Sequence, residues 1–276
     1  MAPERFIAID WSGSQNISRQ KKTIWIADWR ERTCTLTVER GRTRRQVVDY
    51  VLGAASETPS LVAGFDFAFS FPEDFTRGLR CKTVEELWEA IRKVGPDWMR
   101  GGWPEEFYVI KGRQKPAFFL DGGRQHLRAT DVSCNAKSIF ELGAGGVGWG
   151  SIAGQPFLHE MWRNGFAIWP FHKAQCPIAI EIYPACYWRE LSRRTPEERV
   201  ATLGYPDFSW IPERAKLEAI RSRDAFDALI SLAAMRAYGL ELTSLKPTSE
   251  STILIEGLIW QPNAAQPQSP LGPVVT

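Results

Sequence analysis

Acidic residues stand at the ends of apolar segments in several separate parts of this chain, and this pattern constrains its folding more than any other feature. Asp10, for example, directly follows the apolar run Phe6-Ile7-Ala8-Ile9. Carboxylates at the margin of a core lose hydration and repel one another, so they need hydrogen-bond donors or a cation. Gathered by folding, such a group would suit Mg²⁺ or Mn²⁺, which prefer oxygen ligands. The residues with this placement are Asp10, Asp66, Glu181, Asp224 and Asp227.

Each of these carboxylates also has a structural interpretation. Asp10 could begin an Asx-turn in the polar segment that follows it, and Asp66 could pair with an arginine. Glu181 could be a strand end held by a salt bridge. Asp224 and Asp227 are spaced i, i+3 and so share one helix face, where they could cap the helix N-terminus. The sequence leaves both sets of interpretations open.

Composition places the chain in the ordinary globular class. The chain has 276 residues, of which 44% are hydrophobic and 24% charged, and these proportions argue against disorder. Its five cysteines are widely spread and form no C-x-x-C motif, so neither a zinc knuckle nor a disulfide framework is indicated, and reduced thiols fit best. No stretch approaches transmembrane length. We therefore expect a cytoplasmic protein with no membrane partner.

The first quarter of the chain predicts a strand, a hairpin, a helix and a second buried strand. Alternating or continuous apolar residues indicate the strands, and three valines at helical spacing indicate the helix. An aspartate stands at the end of the first strand, and another lies within the last. The predicted ranges are 5–10, 23–29, 34–39, 43–54 and 61–67.

The remainder predicts a single domain over residues 1–260. A segment over about 72–175, irregular and rich in glycine and aromatic residues, is interpreted as a large insertion that covers one side of the sheet. Regular structure returns with a strand at 178–183, a long helix over 212–238 and a strand at 252–260. The proline-rich tail at 261–276 lacks apolar periodicity.

This order, with Asp10 and Asp66 on adjacent strands, resembles the ribonuclease H fold, an α/β fold with a mixed sheet flanked by helices. The helical segment 224–229 is similar to the closing acidic helix of RuvC-type Holliday-junction resolvases. Taken together, five segments resemble the family called domain of unknown function 429, whose members are predicted nucleases. Those segments are 9–13, 64–68, 181–184, 224–229 and 256–260.

The resemblance implies a hydrolase that cleaves the phosphodiester bonds of DNA or RNA with a pair of Mg²⁺ or Mn²⁺ ions. Asp10 and Asp66 would be the strand ligands, Asp224 and Asp227 the helical ligands, and Glu181 an additional ligand or a group that supports them. The resolvases place a glutamate at the position of Asp66 and lack the insertion, so junction resolution is not implied.

Nucleic acid as a partner requires phosphate-binding groups. The net charge of +2 does not mark an obligatory nucleic-acid binder, but arginines and lysines cluster locally. From these clusters we select Lys111, Arg113 and Arg124 as candidate substrate-binding residues. Arg128 stands in the same cluster as Arg124.

Two other function classes remain open at this level. A nucleotide-binding ATPase or kinase-like protein of related fold predicts phosphate-binding glycine turns near Gly13 and Gly64. The glycines 143, 145 and 148 match G-x-G-x-x-G, but residues 149–151 continue loop-like, so a plain structural loop is expected there, with a substrate-facing loop as the alternative. The other class is a non-catalytic binding protein whose acidic cluster is residual.

Overall fold

A six-stranded mixed sheet forms the centre of the molecule. The computed structural model describes residues 2–109, 116, 126–143, 145–187, 193–245 and 250–262. The strands of the central sheet are β1 (Arg5–Asp10), β2 (Trp25–Arg30), β3 (Thr35–Arg40), β4 (Leu61–Phe65), β7 (Ala167–Ile168) and β8 (Ile178–Glu181). Their order is β3-β2-β1-β4-β8-β7, with antiparallel pairing from β3 to β1 and parallel pairing from β1 to β7. A second, parallel pair joins β5 (Tyr108–Val109) to β6 (Glu141–Leu142).

Helices flank the sheet, so the expected α/β class is confirmed. In chain order the helices of the described residues are α1 (Ile17–Thr23), α2 (Arg44–Glu57), α3 (Glu73–Gly78), α4 (Val84–Trp98), α5 (Ala129–Cys134), α6 (Gly148–Arg163), α7 (Pro184–Tyr187), α8 (Pro196–Leu203), α9 (Glu213–Arg221), α10 (Arg223–Ala237), α11 (Gly239–Leu242) and α12 (Ile253–Glu256).

The predicted strand, hairpin, helix and strand are all present, although the structure adds the unpredicted helix α1 between β1 and β2. A short 3₁₀ turn over Glu31–Thr33 joins β2 to β3, which pair antiparallel as the hairpin requires. Helix α2 starts after Thr43, whose side chain accepts a hydrogen bond from the Gln46 backbone N–H, while the Gln46 side-chain oxygen accepts one from the Thr43 backbone N–H. This capping box fixes where α2 begins.

The two faces of the sheet are packed against different helices. Side chains alternate between the faces of a strand, and in β1, β4 and β8 the even-numbered residues pack against α10 whereas the odd-numbered residues face α2 and α6. Residues of the first kind include Phe6, Ala8, Val62, Ile178 and Ile180. Residues of the second kind include Ile7, Ile9, Ala63, Phe65 and Ala179.

The chain between β4 and β8 forms the expected insertion between two central strands, since these strands are direct neighbours in the sheet. It contributes α6 to the core on the α2 face. It also has an apolar cluster of its own, in which α4 and α6 pack together around the aromatic residues Phe71, Phe107 and Phe140.

Three expectations for later elements need correction. The long helix predicted over 212–238 is two helices, because Ser222 has an extended backbone and its side chain caps α10. The segment 252–260 is not a continuous strand: it begins with the short helix α12, and only Ile259 forms a bridge, to Glu181. Residues 149–151 are the first turn of α6 and not a loop. Of the predicted tail, residues 263–276 lie outside the described ranges.

Candidate functional site

Asp10 and Asp66 lie side by side at the carboxyl edge of the sheet. Strands β1 and β4 are parallel with Ile9 opposite Phe65, and the backbone N–H of Asp66 donates to the carbonyl of Ile9 at 3.0 Å. Both aspartates are even-numbered, so the alternation that holds in β1 and β4 directs them toward α10. Both are half-buried, and neither carboxylate makes a hydrogen bond or salt bridge with the described residues. The alternatives of an Asx-turn for Asp10 and an arginine partner for Asp66 are therefore not observed.

The turn after Asp10 is held by side chains from elsewhere in the fold. Arg44 Nη1 donates to the carbonyl oxygens of Ser12 and Ser14, at 3.0 and 2.5 Å. The Thr23 hydroxyl donates to Ser12 Oγ at 2.9 Å. These contacts fix the chain immediately beyond β1, which positions Asp10 without using its carboxylate.

Helix α10 brings the other two aspartates to the same region. Its N-cap is Ser222, whose hydroxyl accepts from the Ala225 backbone N–H. The cap is therefore not an aspartate, and both Asp224 and Asp227 are free for another role. Asp227 is 7% exposed, and its Oδ1 atom accepts no hydrogen bond within the part of the chain that the structure describes. Arg193 Nε lies 3.1 Å from this oxygen without hydrogen-bond alignment, so the cost of burying the oxygen is only partly compensated.

The pKa values show that these four carboxyls lie within one electrostatic neighbourhood. Burial raises the pKa of Asp10 well above its ordinary range, and the nearby charges of Asp66, Asp224 and Asp227 raise it further. Burial followed by the charge of Asp227 raises the pKa of Asp66 to about 8. Charges from chain segments far apart in sequence thus act on both strand aspartates.

The pKa values of the two helical aspartates, Asp224 and Asp227, are also raised. Burial raises the pKa of Asp227 to about 6, against the opposing effect of the Arg193 and Arg223 charges. Burial also raises the pKa of Asp224. A group of partly protonated, mutually repelling carboxyls is the electrostatic condition that a bound cation relieves.

The four carboxylates are chemically suitable ligands for a hard cation, but they are not arranged as a preformed binding site. All four groups offer carboxylate oxygens, the ligands that Mg²⁺ and Mn²⁺ favour. Among the described residues, however, no three acidic, histidine or cysteine side chains lie close enough together to hold one ion as they stand. Cation binding therefore requires the carboxylates to turn toward a common centre, away from the spacing that their repulsion favours.

Glu181 belongs to the opposite face of the sheet. It is in register with Phe65, one residue before Asp66, and is odd-numbered, so its side chain points away from α10. Its carboxylate accepts two hydrogen bonds from the Arg128 guanidinium, at 2.6 and 2.8 Å, and one from the Phe69 backbone N–H at 2.9 Å. This is the salt-bridged strand end that the sequence left open, although Glu181 is still near enough to raise the pKa of Asp66.

Arg128 is part of this buried network and is not exposed to a partner. It is 1% exposed, and its guanidinium also binds the Asp131 carboxylate at 2.7 Å. A phosphate-binding role for the basic cluster that includes Arg128 is therefore wrong at this residue. The candidate substrate-binding residues Lys111, Arg113 and Arg124 lie outside the described residues.

The arginines that do contact the acidic cluster were missed from the sequence. Arg193 Nε lies 3.1 Å from Asp227 Oδ1, and Arg223 Nε lies 3.6 Å from Asp227 Oδ2. The contact between Arg193 and Asp227 Oδ1 lacks hydrogen-bond alignment, so it is an ion pair without a hydrogen bond. Arg223 is adjacent to Asp224, so its position next to the predicted acidic helix was the available signal. Arg193 offered no comparable signal.

Glycine turns suited to phosphate are not apparent at the positions that a nucleotide-binding protein would require. A Cβ atom on Gly13 would lie 2.4–2.5 Å from atoms of Trp149 and Gly150, and one on Gly64 would lie 2.7 Å from Ile182. In the 143–148 loop, a Cβ on Gly148 would lie 2.5 Å from the Ile139 carbonyl oxygen. Close packing within the protein accounts for these glycines.

Comparisons of the chain with protein-family models, with curated proteins and with solved structures find no match. The resemblance noted from the sequence motifs therefore stays a prediction. Across the described residues, every helix is too short or too polar to span a bilayer.

Proposed function

We propose that this protein is a nuclease that hydrolyses phosphodiester bonds of DNA or RNA with divalent cations, Mg²⁺ or Mn²⁺, held by Asp10, Asp66, Asp224 and Asp227. The observation that carries the proposal is the convergence of these aspartates, from two parallel strands and one helix, with raised pKa values. Perturbed carboxyls gathered in this way are typical of functional sites.

We also propose a ribonuclease H-like topology for the α/β fold. The support is the antiparallel run β3-β2-β1 followed by parallel β4 and β8, with an aspartate at the carboxyl end of β1 and another directly after β4. The acidic helix α10 packs on β1, which is consistent with the arrangement that the motifs imply.

The reaction assigned to this site is attack of water on phosphorus. The water oxygen forms a bond to phosphorus while the bond from phosphorus to the leaving sugar oxygen breaks. The water proton passes to a carboxylate of the cluster, and the leaving oxygen takes up a proton from solvent. Bound cations would activate the water and stabilise the leaving oxygen. The four aspartates would hold those cations and offset their positive charge, and the Asp227 Oδ1 atom, which lies 3.1 Å from Arg193 Nε without a hydrogen bond, would gain a partner.

A nuclease assay with matched variants tests this proposal. Wild type is incubated with single-stranded, duplex and branched DNA and with RNA, in Mn²⁺ and in EDTA. We expect Mn²⁺-dependent cleavage that falls at least about 100-fold in Asp10→Asn and in Asp224→Asn, since each removes a charged oxygen ligand. Asp74→Asn is the control, because Asp74 is an exposed aspartate in the first turn of α3.

Cleavage that persists unchanged in both cluster variants would locate the activity elsewhere and overturn the proposal. Cleavage in EDTA at the wild-type rate would also contradict it, because the cluster carries no chemistry without its cations. Loss of activity in Asp74→Asn as well would show that the effect is not specific to the cluster.

A further inference from the structure

Arg193 and Arg223 contact the acidic cluster at Asp227 and leave most of their hydrogen-bond donors unused within the described residues. Arg193 and Arg223 each approach Asp227 through the Nε atom, at 3.1 and 3.6 Å. Within the described residues, neither guanidinium donates a hydrogen bond to any acceptor. Since a guanidinium carries five N–H donors in a planar fork, both side chains retain the paired Nη donors that suit a phosphate group.

The charges of this pair act on the whole cluster and not on Asp227 alone. Both arginines lower the pKa of Asp66 as well as that of Asp227. The charge of Arg223 also lowers the pKa of Asp10 and that of Asp224. The Arg193 side chain is 18% exposed and the Arg223 side chain 56% exposed, so one is inside the rim of the site and the other is open to solvent.

A third arginine fixes the backbone beside both members of the pair. Arg199 is buried, and its Nη1 atom donates to the carbonyl oxygen of Arg193 at 2.9 Å. Its Nε and Nη2 atoms donate to the carbonyl of Ile220, three residues before Arg223, at 2.9 and 2.7 Å. The segments that carry Arg193 and Arg223 are thus tied to one guanidinium, which limits the entropy lost when the pair binds a ligand.

We infer that Arg193 and Arg223 form a phosphate clamp, which binds a phosphodiester group of the nucleic-acid chain beside the acidic cluster. The inference rests on the proposed function for the identity of the ligand. Four carboxylates repel a phosphate, so a substrate anion needs positive charge at the rim as well as cations among the carboxylates. With Asp227 engaged by a cation, the two guanidiniums would be free to present their Nη edges to the phosphate oxygens, which arginine binds in a bidentate manner.

Binding, measured apart from cleavage, tests this inference. The probe is a short fluorescein-labelled single-stranded DNA with phosphorothioate linkages, which resist hydrolysis, and the readout is fluorescence anisotropy in Mn²⁺ at several salt concentrations. We expect Arg193→Gln and Arg223→Gln each to weaken binding about tenfold. Each should also reduce the slope of log K against log salt by about 0.7, the value for one phosphate contact on a single strand.

The matched control is Arg221→Gln. Arg221 is 71% exposed and close to Arg223 in sequence, but its one ion pair within the described residues is with Glu218, at 3.7 Å. Its loss should leave both affinity and salt slope unchanged. Arg193→Lys, which keeps the charge and loses the fork, should bind with intermediate affinity. If Arg193→Gln fails to fold, Arg223→Gln and Arg193→Lys decide the matter, since Arg223 is exposed and the lysine preserves the charge beside Asp227.

Equal binding by wild type and both glutamine variants would overturn the clamp, as would a wild type that does not bind the probe. Cleavage by wild type together with unchanged binding by the variants would remove the clamp and leave the proposed nuclease. Arginine-dependent binding without any cleavage would keep the clamp and remove the nuclease.

Discussion

The Arg128 guanidinium binds both oxygens of the Glu181 carboxylate where neither side chain reaches water. The distances are 2.6 and 2.8 Å, and the same guanidinium holds Asp131 at 2.7 Å. Burial raises the pKa of Glu181, and the charge of Arg128 opposes that effect. One arginine thus compensates two buried carboxylates on the face of the sheet opposite the acidic cluster.

Removing this guanidinium should be costly to stability. We expect Arg128→Met to lower the free energy of unfolding by about 3–5 kcal/mol, because it leaves two buried carboxylates without their cation. Urea denaturation measures the change. The control is Arg92→Met, which breaks a bidentate pair with Glu89 at the surface and should change stability far less, because solvent screens an exposed pair. Similar losses in the two variants would contradict the structural role assigned to Arg128.

Glu181→Gln separates the structural role from a role in the cation site. Its amide keeps the shape and still offers one acceptor to Arg128, so we expect a smaller loss of stability, about 1–3 kcal/mol. Because the Glu181 side chain faces away from α10, Mn²⁺ affinity should stay within a few-fold of wild type. Calorimetric titration measures it. An affinity loss as large as that of Asp224→Asn would return Glu181 to the set of cation ligands.

The raised pKa values predict how stability depends on pH when no cation is present. A carboxyl whose pKa is higher in the folded chain binds more protons there, so its stabilising contribution is complete below the unfolded value of 3.8. That contribution is lost as pH rises through the folded values, about 6 for Asp227 and about 8 for Asp66. In EDTA, the free energy of unfolding should therefore fall across this window.

Asp66→Asn isolates the contribution of the cluster from that of other titrating groups. The variant should be more stable than wild type at pH 8 by at least about 1 kcal/mol, the equivalent of roughly one unit of pKa shift. The two proteins should converge near pH 4, where the wild-type carboxyl is protonated. Urea denaturation at a series of pH values measures the difference. A constant difference across the window would show that the effect is not electrostatic.

Packing beside Asp66 gives a prediction that involves no charge. Gly154 in α6 lies against the ring of Phe67, the residue after Asp66, and a Cβ there would lie 2.5–2.7 Å from ring atoms. We expect Gly154→Ala to cost about 1–3 kcal/mol through overpacking and to lower the proposed nuclease activity, since Phe67 must shift. Thermal unfolding and the cleavage assay measure the two effects.

Gly53→Ala provides the matched control for that substitution. Gly53 is also in a helix, α2, but a Cβ there would have no atom within 4 Å. Alanine should therefore stabilise by about 0.5–1 kcal/mol through its higher helix propensity. If Gly154→Ala behaved like Gly53→Ala, the close contact with Phe67 would not be limiting.

Local signals were sufficient for β1, the hairpin of β2 and β3, α2, β4 and the placement of two aspartates, but helix α1 was not predicted. The apolar run that ends at Asp10, the hairpin and the run around Asp66 each depend on short-range patterns, and parallel pairing of β1 with β4 then brings the two aspartates to one edge. The helix that carries Asp224 was also evident from its composition. The break at Ser222 was not, because a capping serine inside a helical pattern resembles an exposed helix position.

Register and long-range pairing were beyond the reach of the sequence. A shift of one residue between β4 and β8 decides which face Glu181 takes, and strand patterns alone do not fix that shift. The apolar segment that begins at Thr252 was predicted to be a strand, but it forms the short helix α12 before Ile259 pairs with the sheet. Arg193 and Arg128 find their partners 34 and 53 residues away, at distances where composition carries no information.

Cation binding is the prediction on which the proposed chemistry depends most directly. Adding Mn²⁺ in place of EDTA should raise the unfolding temperature of wild type, because the ion binds the folded cluster and relieves its repulsion. The increase should grow with pH between about 6 and 8, since protons compete for the oxygens of Asp227 and Asp66 over that range. Asp10→Asn and Asp224→Asn should show little of the increase, whereas Asp74→Asn should show all of it.

The same titration followed by calorimetry distinguishes a cation site from general screening. Mg²⁺ or Mn²⁺ bound by the cluster gives a saturable heat that disappears in the cluster variants, whereas screening of surface charge responds equally to a monovalent salt at matched ionic strength. Wild type without a saturable heat, and without a rise in unfolding temperature beyond that of the monovalent salt, would mean that the four aspartates hold no ion. Cation-assisted hydrolysis at this edge of the sheet would then be excluded, and a non-catalytic binding protein would be the better interpretation of the site.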